Sequence, residues 1–419
     1  MEHKIILAHP GKQHSYRLAT ALKKDGMLLK YCTTIYDKKN SLIINALKHI
    51  NIMNMPLLIR KRRNNDINDE DVILYNTLRG VMEAVLFRID KSHSFYTKFQ
   101  QFNASSFGKK LAKYAIRAKA KAVICYDSNS YECFRYLKKH SPNIVRIMDV
   151  SHCARPYEKK IIDTEVKESG STELLDESSF LNDKSFLNRM QMEIDLTDYF
   201  LSPSDFINRS LICCGVRPEQ ILTVPYGSNA QNIIHEYVIS GPLKILFVGN
   251  VNYNKGITYL IDATSTFEED EVTLTIVGLY DKNKAYINKC KNKKNISVVG
   301  KLDFEEVCGL YRTTDVLVID SFAEGLAQVG LEAMSCGIPI ICSTNSGVND
   351  AIINGNNGFI IQPGNLKELK EAIGWFVKNQ DKLKLMGENA RISARAYTWE
   401  NYEKHICKKL RDLLEGNYG

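Results

Sequence analysis

Short apolar runs separated by amphipathic stretches fill the chain from end to end. In the first half HKIILAHPG, LLKYCTTIY, KAVICYD, NIVRIMDVSH, DYFLSPS and QILTVPYG read as strands. Their near-continuous hydrophobicity is that of parallel strands covered on both faces. SYRLATALKKDG reads as a helix stopped by Gly26, and longer amphipathic segments lie near residues 42–60, 72–89 and 106–121. Residues 155–190 are polar around ESGSTELLDESS, which predicts a flexible loop.

From Leu243 the rhythm restarts. LKILFVGN, VTLTIVGL, ISVVGKL, DVLVIDSF, IPIICST and GFIIQP are strand-like. Between them lie the helical segments ITYLIDATSTF, KAYINKCKN, FEEVCGLYR, LAQVGLEAMS and a run beginning LKELKEAIGWF. Strand and helix in alternation predict a second doubly wound parallel sheet. The expected fold is α/β: two Rossmann-like domains, residues 1–238 and 239–395, joined near 228–242 and facing across a cleft. Ligands of such sheets bind beyond the carboxyl ends of the strands.

Length agrees, because 419 residues exceed one ordinary core. No apolar run approaches the roughly 20 residues of a spanning helix. Eleven cysteines without a CxxC pair, and no apolar leader, predict reduced thiols in the cytoplasm. Charge is uneven. Residues 1–121 carry 23 Lys and Arg against 9 Asp and Glu, whereas the remainder carries 33 against 39. A basic first part implies an anionic partner.

The loops after the strands carry the chemistry. In FVGNVNYNKG, Gly249 permits a tight turn, and Lys255-Gly256 just before a helix suits a phosphate. Both features are common, so this reading needs a second observation. SFAEGLAQVGLEAMSCGIPIICS supplies one: Glu324 sits in a small-residue loop, and Glu332 lies further on, among apolar neighbours in a helix, with seven residues between the two acids. An N-terminal cap explains Glu324 alone, but the setting of Glu332 is better explained by neutral hydroxyls that it accepts from.

These two acids, with GLEAMSCGIPIICSTNSGVNDAIINGNNGFIIQPGN including Gly337-Ile338-Pro339 and Gly347, resemble glycosyltransferase family 4. The resemblance runs along the whole second domain and weakens in the first. It implies the GT-B fold, with the tail helix of residues 396–419 crossing back to the first domain. It also implies retaining transfer from a nucleoside diphosphate sugar to a saccharide or lipid-linked acceptor, as in cell-surface polysaccharide or glycolipid synthesis. Glu332 would then hold the ribose, Glu324 the donor sugar and Lys255 the diphosphate. Gly249 and Asn250 would lie beside the donor, backbone N–H groups of Gly325, Leu326 and Ala327 near its sugar or phosphate, and Gly300-Lys301-Leu302 near the base. Gly11, Lys12 and His14, in HPGKQHS, would form the acceptor side, and His152 would stand near the reacting carbon. Asn250 departs from the arginine usual in that family, and Ala327 from its frequent glycine.

No tightly bound cofactor and no metal is expected. Asp69-Glu70-Asp71 has the DxD form of a metal motif, but no strand precedes it and a helix start explains it. An epimerase of the same fold is the alternative enzyme. A nucleic-acid binder using Arg60-Lys61-Arg62-Arg63 is disfavoured, because aromatics are not interleaved with the cations. The basic stretches at 60–63 and 109–121, with Leu57-Leu58-Ile59 and Phe107, Leu111, Ala115 and Ala118, predict reversible docking on the cytoplasmic face of an anionic membrane.

Overall fold

The computed structural model describes residues 4–416 apart from 13, 50–53, 91–93, 231, 232, 234, 236, 238–240 and 292. Two parallel sheets organise the chain. The first contains β1 (Ile5–Ala8), β2 (Leu28–Thr33), β3 (Val72–Leu74), β4 (Ala122–Tyr126), β5 (Val145–Asp149), β6 (Tyr199–Ser202) and β7 (Ile221–Thr223), in the spatial order β3-β2-β1-β4-β5-β6-β7. The second contains β8 (Leu243–Val248), β9 (Val272–Val277), β10 (Ile296–Gly300), β11 (Val316–Ile319), β12 (Ile340–Ser343) and β13 (Gly358–Ile361), in the order β10-β9-β8-β11-β12-β13. The strand order reverses between β1 and β4 and between β8 and β11. Those are the switch points where open α/β sheets bind ligands.

All six strands expected in the second sheet are present. β8 pairs with β9 in register from Leu243 against Val272 to Val248 against Val277. In the first sheet the sequence merged β3 into an amphipathic helix at 72–89, whereas the helix occupies Thr77–Ile89. The helix expected at 106–121 is longer at its start, spanning Ser94–Arg117. The expected boundary between residues 238 and 239 lies outside the described residues.

Residues 155–190 are not a loop. Helices Arg155–Ser169, Thr172–Glu177 and Lys184–Asp195 occupy this stretch. Their polarity has a tertiary explanation, because their acids reach the second sheet's side of the molecule. Glu177 accepts from the Tyr253 N–H at 2.8 Å and the Tyr286 hydroxyl at 3.3 Å, and pairs with Lys284 at 3.0 Å. Glu165 accepts from the hydroxyls of Tyr253 at 3.1 Å and Tyr259 at 2.5 Å. A second bridge joins the sheets near the cleft: the Ser204 hydroxyl donates to the Gly325 carbonyl at 2.6 Å, and the Asp205 N–H to Asp350 at 2.7 Å.

The final helix, Trp399–Leu414, returns to the first sheet. It buries Tyr402, Ile406 and Leu410, and is pinned by Lys24–Glu403 at 2.7 Å and Asp25–Arg411 at 2.5 Å. Asp69 and Asp71 are engaged in structure. Arg63 pairs with Asp69 at 3.1 Å and Lys23 with Asp71 at 2.7 Å, and Asp71 also accepts from the Asn68 N–H at 3.1 Å.

Candidate active site

The turn after β8 brings two loops of the second sheet into contact. The Asn252 side chain accepts from the Lys255 N–H at 3.1 Å and closes a single turn before the helix Ile257–Thr264. Gly256 follows at φ +70°, and a Cβ there would come within 2.2 Å of the Asp320 carbonyl oxygen. Only glycine lets this turn lie against the loop after β11. Lys255 thereby reaches Glu324, and the two form an ion pair. Burial pushes the Lys255 ammonium down to about 8, with Glu158 opposing. The Glu324 carboxylate in contact with it favours the charged form, so Lys255 is a cation at neutral pH.

Around this pair lies a cleft of about 740 Å³. Gly249, Asn250 and Lys255 line it from the β8 side, and Glu324, Leu326 and Ala327 from the β11 side. Lys301 and Leu302 stand beyond β10, while Gly300 ends that strand at φ +91° and accepts from the Gly278 N–H at 2.9 Å. Across from them the first sheet contributes His14, Ser151 and Tyr226.

Gly325 is a point of close approach between the two halves. A Cβ on it would lie 2.0 Å from the Ser151 carbonyl oxygen. The N–H groups of this loop are not all available to a ligand: that of Ala327 already donates to the Ser346 carbonyl at 3.1 Å, which removes it from the expected set. Among the described residues the N–H groups of Gly325 and Leu326 donate to no protein acceptor, and further open donors lie at Gln328 and Val329, the first residues of the helix Gln328–Cys336. Both residues line the cleft, and sequence reasoning missed them.

Glu332 sits behind the cleft wall, one turn along that helix. It is 8% exposed and, among the described residues, accepts a single long bond, from the Tyr311 hydroxyl at 3.4 Å. Burial pushes its carboxyl up to about 7, with the Tyr311 bond opposing. A carboxylate this dehydrated and this poorly satisfied is costly unless a ligand supplies hydrogen-bond donors.

On the first sheet the two histidines exchange prominence. His14 faces the cleft, with its Nε2 3.0 Å from Asp149 Oδ2 and 3.2 Å from the Tyr226 hydroxyl. Tyr226, at the end of the QILTVPYG run, therefore belongs to the cleft. His152 lies outside the cleft lining, in a small cavity of about 20 Å³ shared with Arg155 and Glu193. The turn is set by Asp127, which accepts from the Ser151 N–H at 3.2 Å and hydroxyl at 3.0 Å, so Ser151 takes the cleft-facing position. Burial and the Arg155 charge push the His152 imidazole down against the pull of Glu158, keeping it neutral. Of the remaining acceptor-side residues, Gly11 lines a separate cavity of about 430 Å³ and Lys12 one of about 590 Å³.

Among the described residues His152, Cys153 and Glu158 place ligand atoms within 4.8 Å of one another. Arg155 holds Glu158 in an ion pair at 2.6 Å, so a cation there would have to displace a guanidinium.

Residues 230–393 match the family described as Glycosyl transferases group 1. An uncharacterized glycosyltransferase of Methanocaldococcus jannaschii is 30% identical over 170 residues, covering 41% of this chain and 48% of that one. A second from the same organism is 24% identical over 362 residues, covering 82% and 88%. A glycogen synthase of Mycobacterium tuberculosis is 30% identical over 139 residues, covering 32% and 34%. The chain thus spans about half the length, or less, of several curated relatives it matches. Among solved structures, sucrose-phosphate synthase from Thermosynechococcus elongatus superposes with a TM-score of 0.66 at 17% identity, covering 99% of this chain and 100% of that one. HepE of Anabaena in complex with UDP gives 0.63 at 14%, covering 98% and 100%. These likenesses establish the GT-B fold.

Proposed function

We propose, from a second domain that belongs to the group 1 glycosyl transferases, that this chain transfers a glycosyl group from a nucleoside diphosphate sugar to an acceptor hydroxyl with retention of configuration. The observation that carries the reading is the Lys255–Glu324 pair at the second sheet's switch point, in a cleft walled by both sheets. Lys255 takes the diphosphate, aided by the open N–H groups of Gln328 and Val329 at a helix start. Glu324, released from Lys255 as phosphate replaces it, accepts from the donor sugar's hydroxyls. Glu332 accepts from the ribose, and Lys301 and Leu302 flank the base. HepE, which shares the fold, was solved in complex with UDP, and this supports a nucleotide as the ligand of the cleft.

Glycosyl transfer on this arrangement is positioning plus charge stabilisation. The acceptor oxygen bonds to the anomeric carbon as the bond from that carbon to the diphosphate breaks. The acceptor's proton leaves on the diphosphate. His14, held by Asp149 and Tyr226, orients the acceptor side. A thermal-shift panel of nucleotide sugars tests this: one base series should raise the melting temperature, since ligand at 100 times Kd adds about 2.7 kcal/mol. No shift with any nucleotide sugar would overturn the reading.

Membrane docking is the second part of the proposal, and its surface differs from the one expected. Phe107, Leu111 and Ala115 are buried, leaving the later part of the helix Ser94–Arg117 a packed element with a solvated basic face. Large exposed apolar side chains gather instead between residues 42 and 102: Leu42 (87% exposed), Leu78 (63%) and Phe95 (62%), with Leu57, Met82 and Phe102. Arg60, Lys61, Arg88 and Lys98 are exposed on the same helices and the turn between them. Apolar side chains mixed with cations suit an anionic lipid surface, at about 1 kcal/mol for each cation near it. Among the described residues no helix is long and apolar enough to cross a membrane. Binding to phosphatidylserine vesicles but not phosphatidylcholine ones, lost on changing Leu42, Leu78 and Phe95 to serine, is the expected result. Equal binding to both vesicle types, or to neither, would refute it.

A further inference from the structure

A second cavity lies beside the cleft. It measures about 590 Å³ and shares His14 and Gln328 with the cleft as lining residues, so the two adjoin at those side chains. Its wall combines distant parts of the chain: Lys12 and Arg17 after β1, the turn at 63–66, Asn229 and Trp399 of the final helix.

The charges in this wall are unequally satisfied. Arg63 is spoken for by Asp69, and Asp66 accepts from the Thr20 hydroxyl at 3.1 Å. Lys12 and Arg17 make no ion pair among the described residues. Lys12 donates to the Lys61 carbonyl at 3.2 Å, and Arg17 to the Asn229 side-chain oxygen at 3.2 Å. The Arg17 guanidinium lies 4.9 Å over the Trp399 ring, and Trp399 is itself fixed by a 2.9 Å bond to Asn229 and by stacking on Tyr226. Two exposed cations at the mouth of a cavity that adjoins the cleft, each with a neutral hydrogen-bond partner in place of an acid, form a receptor for an anion.

We propose that this cavity is the acceptor subsite, and that the acceptor is a saccharide carrying an anionic group, phosphate or carboxylate, bound by Arg17 and Lys12 with its reacting hydroxyl toward His14. The proposal rests on the glycosyl-transfer reading and names the substrate class it left open. In the transfer the anionic group is a spectator: it supplies binding and orientation, while the hydroxyl bonds to the anomeric carbon and its proton departs with the nucleoside diphosphate.

Isothermal titration of the full chain tests this with three probes: glucose 6-phosphate, glucuronate and glucose. At least one of the two anionic probes should bind tenfold or more tightly than glucose, and which one does separates phosphate from carboxylate. Arg17→Gln should weaken that binding about tenfold, Arg17→Lys less, and raised salt should weaken it in the unmodified protein. Titration of UDP, GDP and ADP in parallel separates the two proposals. Nucleotide binding by the unmodified protein that survives Arg17→Gln supports a subsite distinct from the donor's. Loss of nucleotide binding in that variant would reassign Arg17 to the donor and overturn the inference. Binding of glucose as tight as that of both anions, no binding of any probe, or anion binding indifferent to Arg17→Gln would overturn it too. Failure of every nucleotide to bind the unmodified protein would instead sink the transferase reading.

Discussion

Glu332→Gln should stabilise the free protein and weaken nucleotide binding, two effects of opposite sign from one change. The carboxyl is buried in the helix Gln328–Cys336 with, among the described residues, a single long bond from Tyr311, and burial lifts its titration from 4.5 to about 7. A folded value above the unfolded one means that the folded state favours the proton. Stability from this group is complete below 4.5 and is lost as pH rises through about 7. The difference corresponds to roughly 3 kcal/mol at pH 8. We discount it to about 1–2 kcal/mol, because the side chain lies behind an open cleft and a buried glutamine also lacks partners. Chemical or thermal denaturation at pH 8 should therefore show Glu332→Gln more stable by that amount, with the gain shrinking toward pH 4.5. Nucleotide titration should move the other way. A carboxylate accepting ribose hydroxyls contributes about 1.5–3 kcal/mol, so the variant should bind at least tenfold more weakly at pH 8. Affinity of the unmodified protein should also fall about tenfold from pH 8 to pH 6, a fall that follows protonation near 7 and that the variant should not share. A variant that is less stable at pH 8 and binds nucleotide normally would show Glu332 to be a structural acid and refute the reasoning.

Lys255→Ala should lower turnover by a factor of about 100 or more through lost stabilisation of the leaving diphosphate, read as kcat with saturating donor; near-normal kcat would remove Lys255 from the site. Gly325→Ala would drive a methyl to 2.0 Å from the Ser151 carbonyl oxygen. It should therefore abolish transfer while sparing nucleotide affinity within a few-fold, and a fully active variant would mean that the two halves need not meet there. Glu177→Ala removes the acceptor for Tyr253, Tyr286 and Lys284. It should cost about 1–3 kcal/mol and raise the radius of gyration in solution scattering, and no change in either measurement would dismiss the bridge. Activity should persist in EDTA, because Lys255 serves the diphosphate. Loss on chelation with recovery on adding magnesium or manganese would contradict that.

What the sequence disclosed follows the range of the forces involved. The second sheet was legible because each strand, such as LKILFVGN or DVLVIDSF, is an apolar run closed by a residue that turns the chain. Lys255 and Glu324 were legible for the same reason, since their positions follow from the loops after β8 and β11. β3 was not, because Val72-Ile73-Leu74 is three residues long and runs without a break into an amphipathic helix. The helices of 155–190 carried local signals, Pro156 in a first turn, Gly170 at a stop and Ser171 and Asp183 as N-caps, but the density of polar residues outweighed them. Glu165 and Glu177 satisfy donors at Tyr253, Tyr259 and Tyr286, far along the chain, so their acids read as solvated polarity. The choice between His14 and His152 depended on which way one turn presents its residues, and the bond from Ser151 to Asp127 that decides it joins positions with no pattern between them.

The composition of the contacts between the two halves bears on how the cleft works. They are of two kinds: hydrogen bonds and an ion pair, from Ser204 to Gly325, Asp205 to Asp350, Arg209 to the Thr344 carbonyl at 2.8 Å, and the acids of the 155–182 segment to Tyr253, Tyr259, Tyr286 and Lys284, and a buried apolar cluster of Ile162, Leu174 and Leu181 against Tyr253 and Phe322. Each hydrogen bond exchanges protein partners for water, at a net value of about 1 kcal/mol, so these bonds part and re-form more readily than the apolar cluster, which keeps the 155–182 segment on the second half. On the proposed reading, a donor seated between two sheets, and a nucleoside diphosphate that then leaves, call for contacts beside the cleft that open in this way. The Lys255–Glu324 pair would follow the same logic, holding both groups in place until phosphate and sugar hydroxyls replace each partner with a better one.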